Sequence, residues 1–416
     1  MSTIAKVQTE SGSRLSGMFR RFLISGLSRL EGAQLEISDP VGTVVVGAAS
    51  SRLKVRMDVY DLDFYRKAAL GGSVAAAESY IEGEWAVDDL TNLIRAFARN
   101  QDLLDKMETG LASAANAVLR IPHWFRRNSA RGSRRNIAEH YDIGNEFFST
   151  FLDSHGMYSS ATWLHPDDTL DQASVQKMDR ICRKLELRGG ESLVEIGTGW
   201  GGFACYAASH YGCNVTTTTI SKEQYESATA RVRDAGLDDR VRVIMQDYRQ
   251  LEGKFDKLVS IEMIEAVGHH YLNTYLSRCS DLLKADGMAL LQAITIEDRH
   301  YTKSLHSVDF IKRYIFPGSF IPSVSAIVGS AGKRTDLRLI NLEDQGESYA
   351  RTIGEWRRRF ESNLARVREM GYSERFIRMW RFYLAYCEGG FLERTISNAQ
   401  FLFAKPGNRR GQWLAE

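Results

Sequence analysis

The sequence predicts an α/β protein: a seven-stranded sheet covered by helices on both faces, with helical insertions near its end, preceded by a smaller α+β domain. Three observations lead there. Strand-like and helix-like segments alternate after residue 190, the pattern of a parallel sheet. The apolar run Leu193-Val194-Glu195-Ile196 passes into Gly197-Thr198-Gly199-Trp200-Gly201-Gly202 and then into the helical stretch Phe203-Ala204-Cys205-Tyr206-Ala207-Ala208. Shorter alternating runs at 34–37, 41–46 and 53–60 stand apart, ahead of this pattern. A length of 416 residues suits two domains, and 25% charged with 44% hydrophobic residues describes a globular chain. The expected division is a first domain at 1–120, a basic linker at 121–135, a second domain at 136–406 and a tail at 407–416.

The first domain opens with helical periodicity over 14–30. Leu15, Met18, Phe19, Phe22, Leu23, Leu27 and Leu30 form a stripe, with Arg14, Arg20, Arg21 and Arg29 outside it. Such a helix can lie on an anionic bilayer surface, or pack on its own domain. A helix from about Leu90 to Arg99 follows, and then the arginine-rich segment Arg126, Arg127, Arg131, Arg134 and Arg135. Lys and Arg total 54 against 52 for Asp and Glu, so no global field points to nucleic acid. The polar start, Met1 to Ser13, speaks against an ordinary signal peptide, and no apolar run reaches membrane-spanning length. Five cysteines without a C-x-x-C pair indicate neither a zinc site nor a disulfide framework. The expected location is the cytoplasm, in peripheral contact with the inner face of a membrane.

In the second domain the strand candidates are 192–197, 214–220, 240–247, 257–263 and 287–295, closed by 337–342 and 400–404. Helices are expected over 349–370, where Ile353, Trp356, Phe360, Leu364, Val367 and Met370 step by three or four, and from Ser373 to about Glu388. The strand–glycine–helix unit is a nucleotide cradle, in which Gly197, Gly199 and Gly201 let the backbone approach a ligand. The spacing lacks the third glycine of the dinucleotide fingerprint, and no phosphate-binding Gly-Lys-Ser/Thr follows. That leaves a cofactor with an adenosine part and no phosphates, which S-adenosylmethionine satisfies. The second strand ends in Thr219-Ile220-Ser221-Lys222-Glu223-Gln224, where Gln224 either meets the ribose or completes a capping box. Asp247 and Tyr248 follow the third strand, where an acid can meet the adenine amino group and an aromatic its face. Glu265 sits past the fourth strand among apolar neighbours, at the strand end where such sheets bind ligands.

Taken together, these segments resemble the cyclopropane fatty acid synthases and mycolic acid methyltransferases. The resemblance runs from about Ser79 through Pro406. It rests on His140–Asn145, Tyr158-Ser159, the glycine loop, Thr219-x-Ser221-x-x-Gln224, Met263-x-Glu265-x-x-Gly268, Tyr314-Ile315-Phe316-Pro317-Gly318 with Ile321-Pro322-Ser323, and Tyr372–Phe376 leading to Tyr383-Leu384. It implies a class I methyltransferase domain behind an accessory domain. Tyr158, Ser159, Glu195, Gly197, Gly199, Gly201, Thr219, Ser221, Gln224, Asp247 and Tyr248 would then serve S-adenosylmethionine. The implied reaction is methyl transfer to the cis double bond of an unsaturated membrane phospholipid, closing a cyclopropane ring; the alternative product is a methylene or methyl branch. The implied base is a bound bicarbonate ion, for which Glu265, Tyr383 and the Ile294 main chain match the family pattern. Ser160 stands where many relatives have Cys, and Gln292 where they have His. Cys387 belongs with the same catalytic set. Gln292-Ala293-Ile294-Thr295 with Ile264-Glu265-Ala266-Val267 resembles a branch that methylates without ring closure. Plant alkaloid N-methyltransferases share the His-Tyr-Asp and Tyr-Ser segments but lack the first domain, and an inactive lipid-binding relative is a further alternative. A homodimer is a candidate assembly.

Overall fold

The computed structural model describes residues 2–107 and 143–411, with backbone alone for 2–14. The described residues form two compact units. The first takes the chain to residue 107 together with 307–315 and 368–393, and the second takes 143–306, 316–367 and 394–411. The expected 136–406 block is therefore not one compact piece, and the expected linker at 121–135 lies outside the described residues. Packing explains the regrouping of 368–393. Helix Glu374–Leu392 meets helix Leu90–Arg99 so closely that a Cβ on Gly389 would lie 2.7 Å from Ile94 Cγ2. Thr91 Oγ1 donates to Glu388 at 2.9 Å and Arg95 Nε to Glu393 at 2.7 Å.

The first unit is built on a sheet of order β2-β1-β3-β4, with β1 Ala33–Asp39, β2 Gly42–Gly47, β3 Leu53–Val59 and β4 Trp85–Val87. Alternation in β3 buries Leu53, Val55, Met57 and Val59 and leaves Lys54 and Arg56 to solvent. Helix Ser2–Leu27 is longer than the expected 14–30 helix at its start. Its apolar stripe divides. Leu15, Met18 and Phe22 are 48%, 49% and 51% exposed, whereas Leu30, past the helix end, is buried. The cause is Asp39, whose side chain is wholly buried and needs a cation. Arg20 Nε meets it at 2.5 Å and Tyr65 donates to it at 2.6 Å, which turns the Arg20 side of the helix inward.

The second unit is a sheet of order β10-β11-β9-β8-β5-β6-β7, from β5 Ser192–Ile196, β6 Asn214–Thr219, β7 Val241–Met245, β8 Phe255–Ile261, β9 Leu283–Ile296, β10 Arg338–Asp344 and β11 Ile396–Ala404. The expected strands are all present. The five from β5 to β9 run parallel, while β11 is antiparallel to both β9 and β10. Both faces are covered, so side chains of opposite parity enter two apolar layers. Val194, Leu258, Leu291 and Phe401 enter one; Leu193, Val259, Leu290 and Leu402 enter the other with Met178, Ile181 and Cys182 of helix Leu170–Lys184. The expected 349–370 helix is two, Gly346–Ser362 and Leu364–Glu369. It breaks at Asn363, whose Nδ2 donates to the Thr150 carbonyl at 2.8 Å. Among the described residues no helix is long and apolar enough to cross a membrane.

Candidate active site

β5 turns through Gly197, Gly199 and Gly201, at φ of 103°, 52° and 81°, into helix Gly202–Tyr211. These are conformations that L side chains avoid. The glycines differ in what surrounds them. A Cβ on Gly202 would lie 2.3 Å from the His155 carbonyl oxygen, and one on Gly201 3.1 Å from Ala228 Cβ, so both close the turn against its neighbours. No described residue lies within 4 Å of a Cβ built on Gly199. Open space there, beside the first turn of a helix, fits a ligand drawn close to the backbone. Glu195 has a different place from the one expected. Its buried carboxyl accepts from Thr217 Oγ1 at 2.6 Å, and Thr217 lies 2.7 Å from the Thr198 hydroxyl, so it braces the loop from the strand side. Burial pushes that carboxyl up to about 8.

At the end of β6, Ser221 Oγ caps helix Lys222–Asp234 by accepting from the Gln224 backbone N–H at 3.3 Å. The Gln224 side chain does not complete the capping box. Thr219 donates to its Oε1 at 2.8 Å, which fixes the amide and leaves Nε2 without a partner among the described residues. That group can donate to a ribose hydroxyl. Asp247 is gripped by Arg249, Nε to Oδ1 at 2.8 Å and Nη2 to Oδ2 at 2.7 Å. The same guanidinium sits over Tyr248 at 5.4 Å and Tyr271 at 5.6 Å. Tyr158 packs among Phe148 at 5.2 Å and Trp356 at 5.3 Å, and the buried Lys177 donates to Ser159 Oγ at 2.7 Å. Of the His140–Asn145 segment, residues 140–142 lie outside the described part, and Asn145 accepts from Trp200 Nε1 at 2.7 Å.

The carboxyl end of β8 holds two glutamates. Glu262, at a left-handed φ of 50°, accepts four hydrogen bonds: from Ser160 N at 2.9 Å, Gln292 Nε2 at 2.9 Å and Asn398 Nδ2 at 2.8 Å on Oε1, and from the Tyr349 hydroxyl at 2.6 Å on Oε2. Glu265 accepts from Ile294 N at 2.6 Å on Oε1, while its Oε2 is buried with no partner among the described residues. Burial raises both carboxyls. The Glu262 charge adds to the effect on Glu265, which reaches about 8, whereas hydrogen bonds pull Glu262 back toward its ordinary range. Glu265 therefore favours its protonated form at neutral pH beside Glu262.

Glu262 is the residue that sequence reasoning missed. Its signal was a second acid, three residues before Glu265, in the same apolar strand end. It also changes the reading of the expected bicarbonate. The Ser160 N–H and the Gln292 amide are engaged by Glu262, the Ser160 hydroxyl donates to the Ala161 carbonyl at 3.0 Å, and the Ile294 N–H is engaged by Glu265. The N–H donors that the resemblance assigned to that ion are thus held by the two glutamates, and Glu265 Oε2 is the buried oxygen left for a further partner among the described residues. Tyr383 and Cys387 stand one turn apart on helix Glu374–Leu392 of the first unit. Tyr383 is buried edge-on to Trp380 at 5.1 Å, and burial pushes the Cys387 thiol far above its usual range.

The model of the mycolic acid cyclopropane synthetase family matches residues 128–401. The chain belongs to this family. The chain is similar to the tuberculostearic acid methyltransferase of Mycobacterium tuberculosis, at 35% identity over 82% of this chain and 81% of that one. It is similar to the cyclopropane-fatty-acyl-phospholipid synthase of Escherichia coli strain K12, at 34% identity over 89% and 92% of the two chains. Among solved structures, a mycolic acid cyclopropane synthase in complex with SAH and CTAB aligns with a TM-score of 0.61 and 28% identity, over 65% of this chain and 98% of that one. This family member is an S-adenosylmethionine-dependent methyltransferase on a class I sheet.

Two expectations follow from this geometry. Gly199→Val fills the open side of the loop and should abolish S-adenosylmethionine binding while the fold persists; unchanged affinity by calorimetry in a folded variant contradicts the cradle. The second concerns stability. Glu265 is raised in the fold from its ordinary 4.5 to about 8, so its contribution is complete below the ordinary value and lost as pH climbs toward 8. Glu265→Gln, neutral at every pH, should raise the thermal midpoint by a few degrees at pH 8 and little near pH 4.5. A shift of equal size at both pH values would contradict the buried, protonated carboxyl.

Proposed function

We propose that the chain transfers a methyl group from S-adenosylmethionine to the cis double bond of an unsaturated phospholipid acyl chain and closes a cyclopropane ring. The observation that carries the reading is the Glu262–Glu265 pair at the carboxyl end of the sheet that bears the glycine loop. An alkene has no proton to lose before it attacks, so the acceptor needs placement rather than a strong base. Placement can supply up to ~7–11 kcal/mol of the barrier in favourable systems. The cofactor brings an electrophilic methyl on a sulfonium. Methylation leaves the acyl chain with a cation and one proton to lose. Two neighbouring carboxyls, of which Glu265 favours its protonated form, can stabilise that cation and take its proton on Glu262. Aromatic faces such as Tyr158, Phe148 and Trp356 add about 0.5–2 kcal/mol each where they meet a cation. The pair thus takes the role for which the resemblance implied bicarbonate.

A second product is favoured by one observation. Glu262 is tethered to β8 and held by Gln292, the position where ring-forming relatives carry His, so its reach is set by the chain. If the proton it takes lies on a carbon beside the cation, the product is a branch. Glu262→Gln should lower turnover by about 10²–10⁴-fold, the usual worth of a positioned acid or base, with cofactor affinity kept. Gas chromatography of the lipid products distinguishes ring from branch. A wild-type rate that falls when bicarbonate is removed would overturn the assignment of the base to Glu262 and Glu265.

The substrate implies a lipid surface, and we assign its contact to the first unit. Leu15, Met18 and Phe22 project from helix Ser2–Leu27 with the exposed cation Arg21 beside them. Replacing both Met18 and Phe22 by Ser should weaken binding to anionic vesicles by about ten-fold or more, given ~1.5–3 kcal/mol for burying each such side chain. Unchanged sedimentation with vesicles would remove this face from the reading.

A further inference from the structure

The sheet face beneath helix Leu170–Lys184 carries a row of polar side chains where its pattern calls for apolar ones. Gln292 of β9, Gln400 of β11 and Glu343 of β10 are direct partners across three neighbouring strands. They share parity with Leu290 and Leu402, which enter the apolar layer on this face. Gln292 is 1% exposed, and Gln400 and Lys184 are wholly buried. Buried amides must find partners, and these find one another in series. Lys184 Nζ donates to Gln400 Oε1 at 2.8 Å, Gln400 Nε2 to Gln292 Oε1 at 3.0 Å, and Gln292 Nε2 to Glu262 Oε1 at 2.9 Å and to the Ser160 carbonyl at 3.3 Å.

The direction of this series is fixed by chemistry. An ammonium only donates, so Gln400 must turn its oxygen to Lys184 and its NH₂ to Gln292. Gln292 must then turn its oxygen to Gln400 and its NH₂ to Glu262. A carboxylate only accepts, so the other end demands the same orientation. Beyond Lys184, Glu343 pairs with its ammonium and also accepts from Arg180 Nε at 3.0 Å. Around Glu262 the remaining polar and charged neighbours are Tyr349, Asn398, Lys177 and Glu265.

We propose that Lys184 is a positioning residue for the active carboxyl pair: through Gln400 it fixes which way the Gln292 amide faces, and so keeps an N–H donor against Glu262. The inference rests on the reading of Glu262 as a member of the proton-accepting pair, yet it concerns the state of Glu262 itself and can be read without turnover. An ionised Glu262 demands the NH₂ by itself, but a protonated one can donate to the Gln292 carbonyl; loss of the relay would free the amide to turn and so favour the protonated acid. Burial alone does not require the relay, since a leucine pair would fill the same space at no polar cost.

Gln400→Glu is nearly isosteric and tests this. The new carboxylate keeps Lys184 as its partner but offers Gln292 only acceptors, so Gln292 turns its NH₂ away from Glu262. Gln400→Met breaks the relay without adding charge, and either variant alone decides. Infrared titration of the buried carboxyls reads Glu262 directly, its band being the one lost in Glu262→Gln. The Glu262 band should titrate at higher pH in both Gln400 variants. The acidic limb of the kcat profile should follow by about one unit, a ten-fold loss at its acidic end, with cofactor affinity by calorimetry unchanged. A Glu262 band that stays in place in either variant overturns the relay whatever the activity does. A band that moves while the kcat profile does not supports the relay and removes Glu262 from the proton-accepting role.

Discussion

Charge buried beneath one helix is the constraint on which the open end of the second unit's sheet depends. Helix Leu170–Lys184 presents Lys177 and Lys184, both wholly buried, to a sheet face that carries Glu195, Gln292 and Gln400. A lone ion in such a layer would cost several kcal/mol or surrender its charge. Burial does pull Lys177 down to about 8, but the charges of Glu262, Asp153 and Glu195 oppose the shift. The same ammonium holds Ser159 by its hydroxyl. The helix that closes the apolar layer therefore also places a residue of the Tyr158-Ser159 segment, and packing and site geometry cannot vary independently there.

The glycine loop answers to the same end of the sheet. Gly201 and Gly202 have protein packed against them, whereas no described residue lies within 4 Å of a Cβ on Gly199. At the first turn of a helix after a parallel strand, that space suits a ligand. Gln224 makes a parallel point. A capping box would use both halves of its amide pattern at the helix start, but Thr219 holds the oxygen and leaves the nitrogen for something that accepts. A neutral amide, rather than the carboxylate many nucleotide folds place here, can still recognise a hydroxyl.

What could be read in the sequence was what repeats. Every strand of the second sheet, and three of the four in the first, were legible from period-two or continuous apolar runs, and the glycine loop from its spacing; the three-residue β4 Trp85–Val87 was too short to show a period. The start of the helix near Ser373 was legible too; there the Ser373 hydroxyl caps it, accepting from Phe376 N at 3.2 Å. What escaped was set by single contacts between distant segments. The break at Asn363 is invisible to periodicity because the apolar steps continue across it. The grouping of 368–393 with the first unit follows from Gly389 against Ile94, which no local pattern announces. Arg20 read as one more exposed cation until Asp39 lay beneath it. Glu262 read as a strand end, although the acid pair Glu262-Met263-Ile264-Glu265 was in plain view. Its meaning required Gln292, Ser160 and Asn398 to arrive from three other segments.

A base built into the chain has a different virtue from one bound from solution. A bound ion must give up its freedom each time it enters, yet can settle wherever the substrate leaves room. A carboxyl on β8, with one oxygen held by three donors and the other by Tyr349, gives up nothing at the moment of reaction but cannot follow the substrate. The cation has protons on the new methyl and on neighbouring carbons, and displacement of the order of 1 Å can change rates by about 10²-fold. With the base fixed, the depth at which the acyl chain stops chooses which proton is nearest. Ring and branch then become two registers of one chain against one carboxylate, and the residues that set product are those that stop the lipid, as much as those that hold Glu262.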